Sequence, residues 1–192
     1  GGDISEPVSQ GTLRIVKEFW GLDAGLARKR HFPAINWLNS YSLYPQSLNQ
    51  WFRDNIASDF PEVRTEISAL LKVEAELQEI VQLVGSDALP IDQQLTLEVA
   101  RMIREYFLQQ NGFDPVDAYS GVEQQYAMAK AILTFQNEAK KAMAAGARLQ
   151  DVVNVPSRTE LMRARFAEGY LENIGGLVED MVGEITGTVE AN

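Results

Sequence analysis

Glu62 to Val84, EVRTEISALLKVEAELQEIVQLV, is the stretch on which the fold turns. Its apolar residues Ile67, Leu70, Leu71, Leu77, Ile80, Val81 and Val84 recur at steps of three and four. That spacing puts them on one face of an α-helix, because about 3.6 residues complete a turn. Gly85 follows as a natural stop, since glycine enters the left-handed region without a steric penalty. Ser86-Asp87-Ala88-Leu89-Pro90 leaves room only for a tight connection, and Asp92 is placed to cap a second helix. Leu95, Val99, Met102, Ile103 and Tyr106 form the apolar face of that helix, and Asn111-Gly112 ends it. Two amphipathic helices with a short link predict an antiparallel hairpin.

Downstream, Asp114 to Tyr119 is a further connection containing Pro115. A third helix is expected over about 122–145, with Tyr126, Ala129, Ile132, Leu133 and Phe135 apolar and Gly146 closing it. Val155-Pro156-Ser157 reads as the entry to a last helix, Ser157 capping it and Glu160 completing a capping box. Gly169, Gly175, Gly176, Gly183 and Gly187 predict that this last stretch is broken or frayed.

Upstream the character changes. Residues 1 to about 50 are rich in aromatics, Gly, Pro, Asn and Ser. Leu13 and Ile15 alternate with Arg14 and Val16, as in a strand, and residues 1–20 read as one strand of a parallel sheet. Asp23 is positioned to cap a short helix through Arg30, which Phe32-Pro33 ends. Asn36 to Pro45 is an ordered loop or a short strand. The expected fold is mainly α: residues 1–50 form a remnant of an α/β domain, and residues 51–192 form a helical domain.

Composition narrows the chemistry. The 192 residues are 45% hydrophobic and 23% charged, an ordinary globular balance. No apolar run approaches the roughly 20 residues of a membrane helix. With no cysteine and one histidine, His31, thiolate metal sites and cysteine nucleophiles are excluded. A formal charge of −10 argues against nucleic acid or an anionic membrane as partner. There is no G-x-x-x-x-G-K-[ST] phosphate loop, and Gly1-Gly2 is at most the remnant of one. The opening Gly1-Gly2-Asp3, without an initiator Met, reads as a segment of a longer chain. The acidic pairs Asp54 with Asp59 and Glu74 with Glu76 read as solvated charge. The basic run Arg28 to His31 either touches phosphate or complements a helix C-terminus. Phe32 and Phe113 lie in loops, and each taken alone reads first as a core residue.

Several stretches together resemble the catalytic A subunit of V-type and archaeal-type rotary ATPases. They are Gly2 to Val8, Thr12 to Lys17, Phe19 to Asp23, Arg30 to Leu38, Ser40 to Tyr44, Leu95 to Arg104 and Phe107 to Asn111. The resemblance is strong from residue 2 to about 135 and weak after about 145. It implies the end of a P-loop nucleotide-binding domain followed by the C-terminal helical domain, without the P-loop and the catalytic glutamate. It implies that Phe32 and Phe113, with Tyr119 as a further candidate, are similar to the aromatic walls around adenine. It also implies that the Ser86, Asp87, Ala88, Leu89 and Pro90 tip faces the rotor by a steric and apolar contact. ATP or ADP with Mg2+ is the expected cofactor of the full-length subunit, with no tight binding by this segment. B subunits of the head and the central stalk are the expected partners, with no nucleic acid and no membrane insertion. The expected location is cytoplasmic, on the soluble head.

Two other readings fit parts of the sequence. A fragment of the non-catalytic nucleotide-binding B subunit would share the domain plan, although Trp20 and His31-Phe32-Pro33 favour the catalytic one. A self-standing helical interaction module would make the N-terminal piece purely structural.

Overall fold

A computed structural model of the chain describes residues 6–190. The Gly1-Gly2 loop remnant and the Gly2 to Ser5 part of the first resembling stretch lie outside the described residues. The chain divides into two compact units, Gly1–Pro61 and Glu62–Asn192.

The first unit is small and mixed. Helix α1, Pro7–Leu13, opens with proline in its first turn, where the missing N–H costs no hydrogen bond. Strand β1 is Glu18–Leu22, helix α2 is Ala24–Arg28, strand β2 is Ile35–Ser42, and helix α3 is Pro45–Asn55. The strand expected from the Leu13/Ile15 alternation is therefore a helix end and a turn. Gln10 N–H bonds to Glu6 O and Arg14 N–H to Gln10 O, so the backbone is already satisfied helically. The expected parallel strand is also corrected: β1 pairs antiparallel with β2, matching Phe19 to Tyr41 and Leu22 to Ile35. The register slips between Phe19 and Gly21, and Gly21 N–H donates to Ser40 Oγ at 2.9 Å. Tyr41 stacks on Phe19 at 6.0 Å and donates its hydroxyl to Leu13 O, tying the ribbon to the end of α1.

The second unit is helical. Helix α4, Phe60–Val84, starts at the end of the first unit and carries the predicted apolar stripe, with Ile67, Leu70, Leu71 and Leu77 buried. Gly85 adopts φ +84° and returns its N–H to Val81 O, the expected stop. A single 3-10 turn, Ser86–Ala88, leads into helix α5, Ile91–Met102. Asp92 is not the cap. Pro90 holds that position in extended backbone, and Asp92 falls in the first turn, where its charge still suits the helix dipole. Glu74 on α4 is buried and pairs with Arg104 beyond α5 at 3.0 Å, which corrects its reading as solvated charge. That pair bridges the two arms of the hairpin.

Helix α6, Val122–Ala144, helix α7, Leu149–Val153, helix α8, Pro156–Ala164, and helix α9, Tyr170–Glu190, complete the unit. Gln124 reaches back to Gly121 N–H at the start of α6, and Gly146 turns the chain away from its end at φ +106°. The core forms where α6 packs on α5 and α9, with Val99, Ile132, Phe135 and Met181 fully enclosed. The capping box at Ser157 is absent, because Pro156 begins α8 and Val155 is its N-cap. Ser157 is buried and binds Glu184 of α9 instead, through both its N–H at 3.0 Å and its hydroxyl at 2.5 Å. Helix α9 runs unbroken, contrary to its glycine content. Tyr170, Ile174, Met181 and Ile185 form its buried face, while Gly175, Gly176, Gly183 and Gly187 lie on the exposed one. Tertiary packing on α6 and α8 outweighs a propensity loss of about 1 kcal/mol per glycine.

Candidate functional site

Phe32 is held by local hydrogen bonds. Asp23 caps α2 by accepting from Gly25 N–H at 2.6 Å and Leu26 N–H at 3.0 Å. Its second oxygen accepts from Asn36 Nδ2 at 2.9 Å, across the loop. The Asn36 amide, followed by the Leu26 N–H, holds the Asp23 carboxyl below the usual carboxylate range. At the other end Arg30 takes φ +57°, and Arg30 N–H and His31 N–H return to Ala27 O and Leu26 O. This is a Schellman closure, with arginine in the position glycine usually fills. It accounts for part of the basic run as helix C-terminal charge, with Arg28 in the last turn of α2. His31 rests against Trp37 at 5.6 Å, and the Phe32–Pro33 peptide is cis. Phe32 emerges from this closed loop 54% exposed, so it is not a core residue.

Phe113 and Tyr119 belong to a loop of the second unit. Helix α5 continues into a π-helical segment, Ile103–Leu108, and the loop runs from there to α6. Asp114 Oδ1 accepts from Val116 N–H and Asp117 N–H, both at 2.9 Å, and Asn111 Oδ1 accepts from Phe113 N–H at 3.1 Å. Asp117 points inward, only 4% exposed, and its Oδ2 accepts from Asn111 N–H at 2.6 Å. Arg165, from the end of α8, lies 3.7 Å from the same oxygen. Above this pinned backbone Phe113 is fully exposed and Tyr119 nearly so, which overturns the reading of Phe113 as core. A cavity of about 180 Å³ lies under the loop, lined in part by Tyr106, Asp117, Gln124, Arg165 and Tyr170. Burial pushes the Tyr170 phenol upward, so it stays a neutral donor there.

At the hairpin tip Ser86, Asp87, Ala88 and Pro90 are exposed, while Leu89 turns inward and is buried. Leu83, Val84 and Ile91 stand exposed beside them. Asp117 and Arg165 escaped the sequence reading, because no periodicity or motif links a loop aspartate to an arginine far downstream. Their signal is purely three-dimensional.

Comparison with known proteins agrees with this geometry. Residues 49–153 match the family model of the C-terminal domain of V and A type ATP synthase. Residues 1–42 match the nucleotide-binding domain of the ATP synthase alpha/beta family. The A subunit of the A-type ATP synthase of Methanosarcina barkeri is 54% identical over 181 residues, covering 94% of this chain and 31% of that protein. An A subunit of the A-type ATP synthase of Methanospirillum hungatei is 50% identical over 191 residues, covering 100% of this chain and 33% of that protein. The V-type ATP synthase alpha chain 1 of Clostridium tetani is 54% identical over 168 residues, 88% of this chain and 28% of that protein. The chain thus spans about a third of the length of the curated relatives it matches. A solved structure, described as a unique ATP synthase subunit NeqB from Nanoarcheaum equitans, aligns with a TM-score of 0.58 at 20% identity. That alignment covers 71% of this chain and 32% of the other, and it speaks for the fold alone. The relatives are A subunits or the corresponding alpha chain, so the B-subunit reading is not favoured. With more than half its length inside the family model and half its residues shared with these A subunits over nearly all of it, the chain belongs to the family of V- and A-type ATP synthase A subunits, in their C-terminal region.

Proposed function

We propose that this segment supplies the aromatic walls of an adenine pocket and the rotor-facing lever of a catalytic A subunit. The parent protein would couple ATP synthesis or hydrolysis to rotation and to proton or sodium transport. The observation that carries the pocket is the Phe113 ring, fully exposed on a loop whose backbone is pinned by Asp114, Asp117 and Asn111. An apolar ring held rigidly in water is a surface made to be covered. A purine suits it, since stacking contributes roughly 1–3 kcal/mol per base. Phe32 and Tyr119 offer comparable exposed faces, and Phe32 leaves a loop equally closed on itself.

The rings fit an adenine base, and their task is to stack on it and exclude water. Bound Mg2+ would screen phosphate charge in the full-length protein. Among the described residues no cluster of three or more His, Asp or Glu is arranged to hold a metal ion, so no residue here is assigned to it. In the full-length protein, Phe32→Ala and Phe113→Ala should each weaken ATP binding about tenfold, as read by nucleotide titration. Unchanged affinity in both variants would sink the pocket.

The lever is the α4–α5 hairpin. Two helices tied across by Glu74 and Arg104 resist bending, and the exposed Leu83, Val84 and Ile91 beside Ala88 and Pro90 favour an apolar push on the central stalk. B subunits of the head are the other expected neighbours. No helix among the described residues is long and apolar enough to cross a membrane, and a place on the cytoplasmic head is part of this proposal. Shortening Ser86–Pro90 in the assembled enzyme should lower coupling between hydrolysis and rotation while nucleotide affinity holds. Full coupling in that variant would remove the lever from the proposal.

A further inference from the structure

We propose that Arg165 is a positioning residue for nucleotide binding, acting through the loop that carries Phe113 and Tyr119. The inference rests on the adenine-pocket reading above. It begins with the helix that leads into the loop. In the π-helical segment Gln109 N–H bonds to Arg104 O at 2.9 Å, one residue further back than an α-helix would reach. The α-helical acceptor for that N–H would have been Glu105 O, which is thereby vacated. Arg165 Nη1 fills it at 2.6 Å. The same nitrogen donates to Gln109 O at 2.5 Å, the first carbonyl past the segment. Both N–H groups of Nη1 are therefore spent on the backbone at the root of the loop.

The rest of the guanidinium faces the loop's own anchor. Its Nε lies 3.7 Å from Asp117 Oδ2, the oxygen that also accepts Asn111 N–H. Gln110 Nε2 donates to Asp117 O at 3.2 Å, closing the same turn from the other side. Arg165 is 15% exposed and Asp117 4%, so the pair is shielded from competing water. Phe166 covers the guanidinium face at 4.7 Å. One side chain from the end of α8 thus fixes the exit of the π-helical segment and the buried carboxylate of the aromatic loop together. A planar fork with several fixed donors is needed for this, and a lysine ammonium cannot span the same three acceptors.

Misplacing a stacking ring by a fraction of its width costs binding, so loss of the anchor should read out as affinity. In the intact enzyme, Arg165→Gln should raise the KM for ATP about tenfold while kcat changes less than about twofold, with Arg165→Lys in between. Placed on top of Phe113→Ala, Arg165→Gln should add less than about twofold, because the arginine acts only through that ring. An unchanged KM in Arg165→Gln, with a raised one in Phe113→Ala, overturns the positioning role and leaves the pocket standing. An equal rise from Arg165→Gln with and without Phe113 also overturns it, since a general structural defect would behave so. An unchanged KM in Phe113→Ala overturns the pocket and this role with it. Should Arg165→Gln fail to assemble, Arg165→Lys and Asp117→Asn carry the test. In each, faster amide exchange at Asn111, Phe113 and Asp117 together with a raised KM supports the role, and native exchange with a native KM overturns it.

Discussion

From Glu6 to Phe60 no residue is buried, whereas the helices after Glu62 enclose Val99, Ile132, Phe135 and Met181 completely. The first unit is a two-stranded ribbon with three short helices, and it leaves Trp20, Leu22 and Trp51 largely exposed. A ribbon of two strands is marginal on its own, and apolar surface of this kind belongs to a face that meets further protein. The second unit encloses its own core. The first unit is therefore held mainly by hydrogen bonds around Asp23 and Tyr41, and the second by packing.

The chain offers a convenient way to test that contrast. All three tryptophans, Trp20, Trp37 and Trp51, lie in the first unit, so their fluorescence reports it alone. The helical circular dichroism signal reports mostly the second. The largest effect is expected for Phe135→Ala, which should destabilise the helical unit by about 3–5 kcal/mol and lower its melting temperature by roughly 10 °C or more. Trp20→Ala, at an exposed ring, should move either signal by no more than about 0.5 kcal/mol. Identical shifts of both signals in Phe135→Ala would show the two units unfolding as one, and the contrast would fail. A smaller effect of opposite sign is expected at Gly183, where an added Cβ meets nothing within 4 Å. Gly183→Ala should stabilise α9 by about 0.5–1 kcal/mol, and a lower dichroism melting temperature would refute the account of that helix.

The smallest effect is a pH dependence. The Asp23 carboxyl sits below its ordinary value, held there first by Asn36 and then by backbone amides. A depressed folded value adds stability above the unfolded value and loses it as pH falls through the folded one. The tryptophan signal should therefore soften as pH drops below about 4, before the dichroism signal responds at this site. Asp23→Asn should flatten that limb, and an unchanged acid profile in that variant would remove Asp23 as its cause.

What the sequence disclosed follows the same division. The long helices were legible because Ile67, Leu70, Leu71 and Leu77 repeat at helical spacing, and because Gly85 and Gly146 stop their helices at positive φ. The glycines of α9 misled because each weakens the helix locally, while Ile174, Met181 and Ile185 secure it against α6 and α8. Ser157 misled because its hydroxyl answers to Glu184 on another helix rather than to its own first turn. At the aromatic loops, resemblance pointed to Phe32 and Phe113, yet their exposure follows from closures that only the folded backbone reveals. Asp23 was legible as a cap because capping is local; Asp117 with Arg165 was not, because their meeting depends on how α8 ends beside the π-helical segment.

That segment has a consequence for how the chain tolerates change in length. A π turn holds one residue more than the α turn it replaces. Removing a single residue from Ile103–Leu108 would restore ordinary helical pairing, and every residue beyond it would rotate about 100° around the axis. Phe113 would then leave the helix on a different bearing, with each of its neighbours in sequence unaltered. The direction in which this loop faces is thus written as a surplus of one residue, a quantity that substitutions leave untouched and a one-codon deletion would erase.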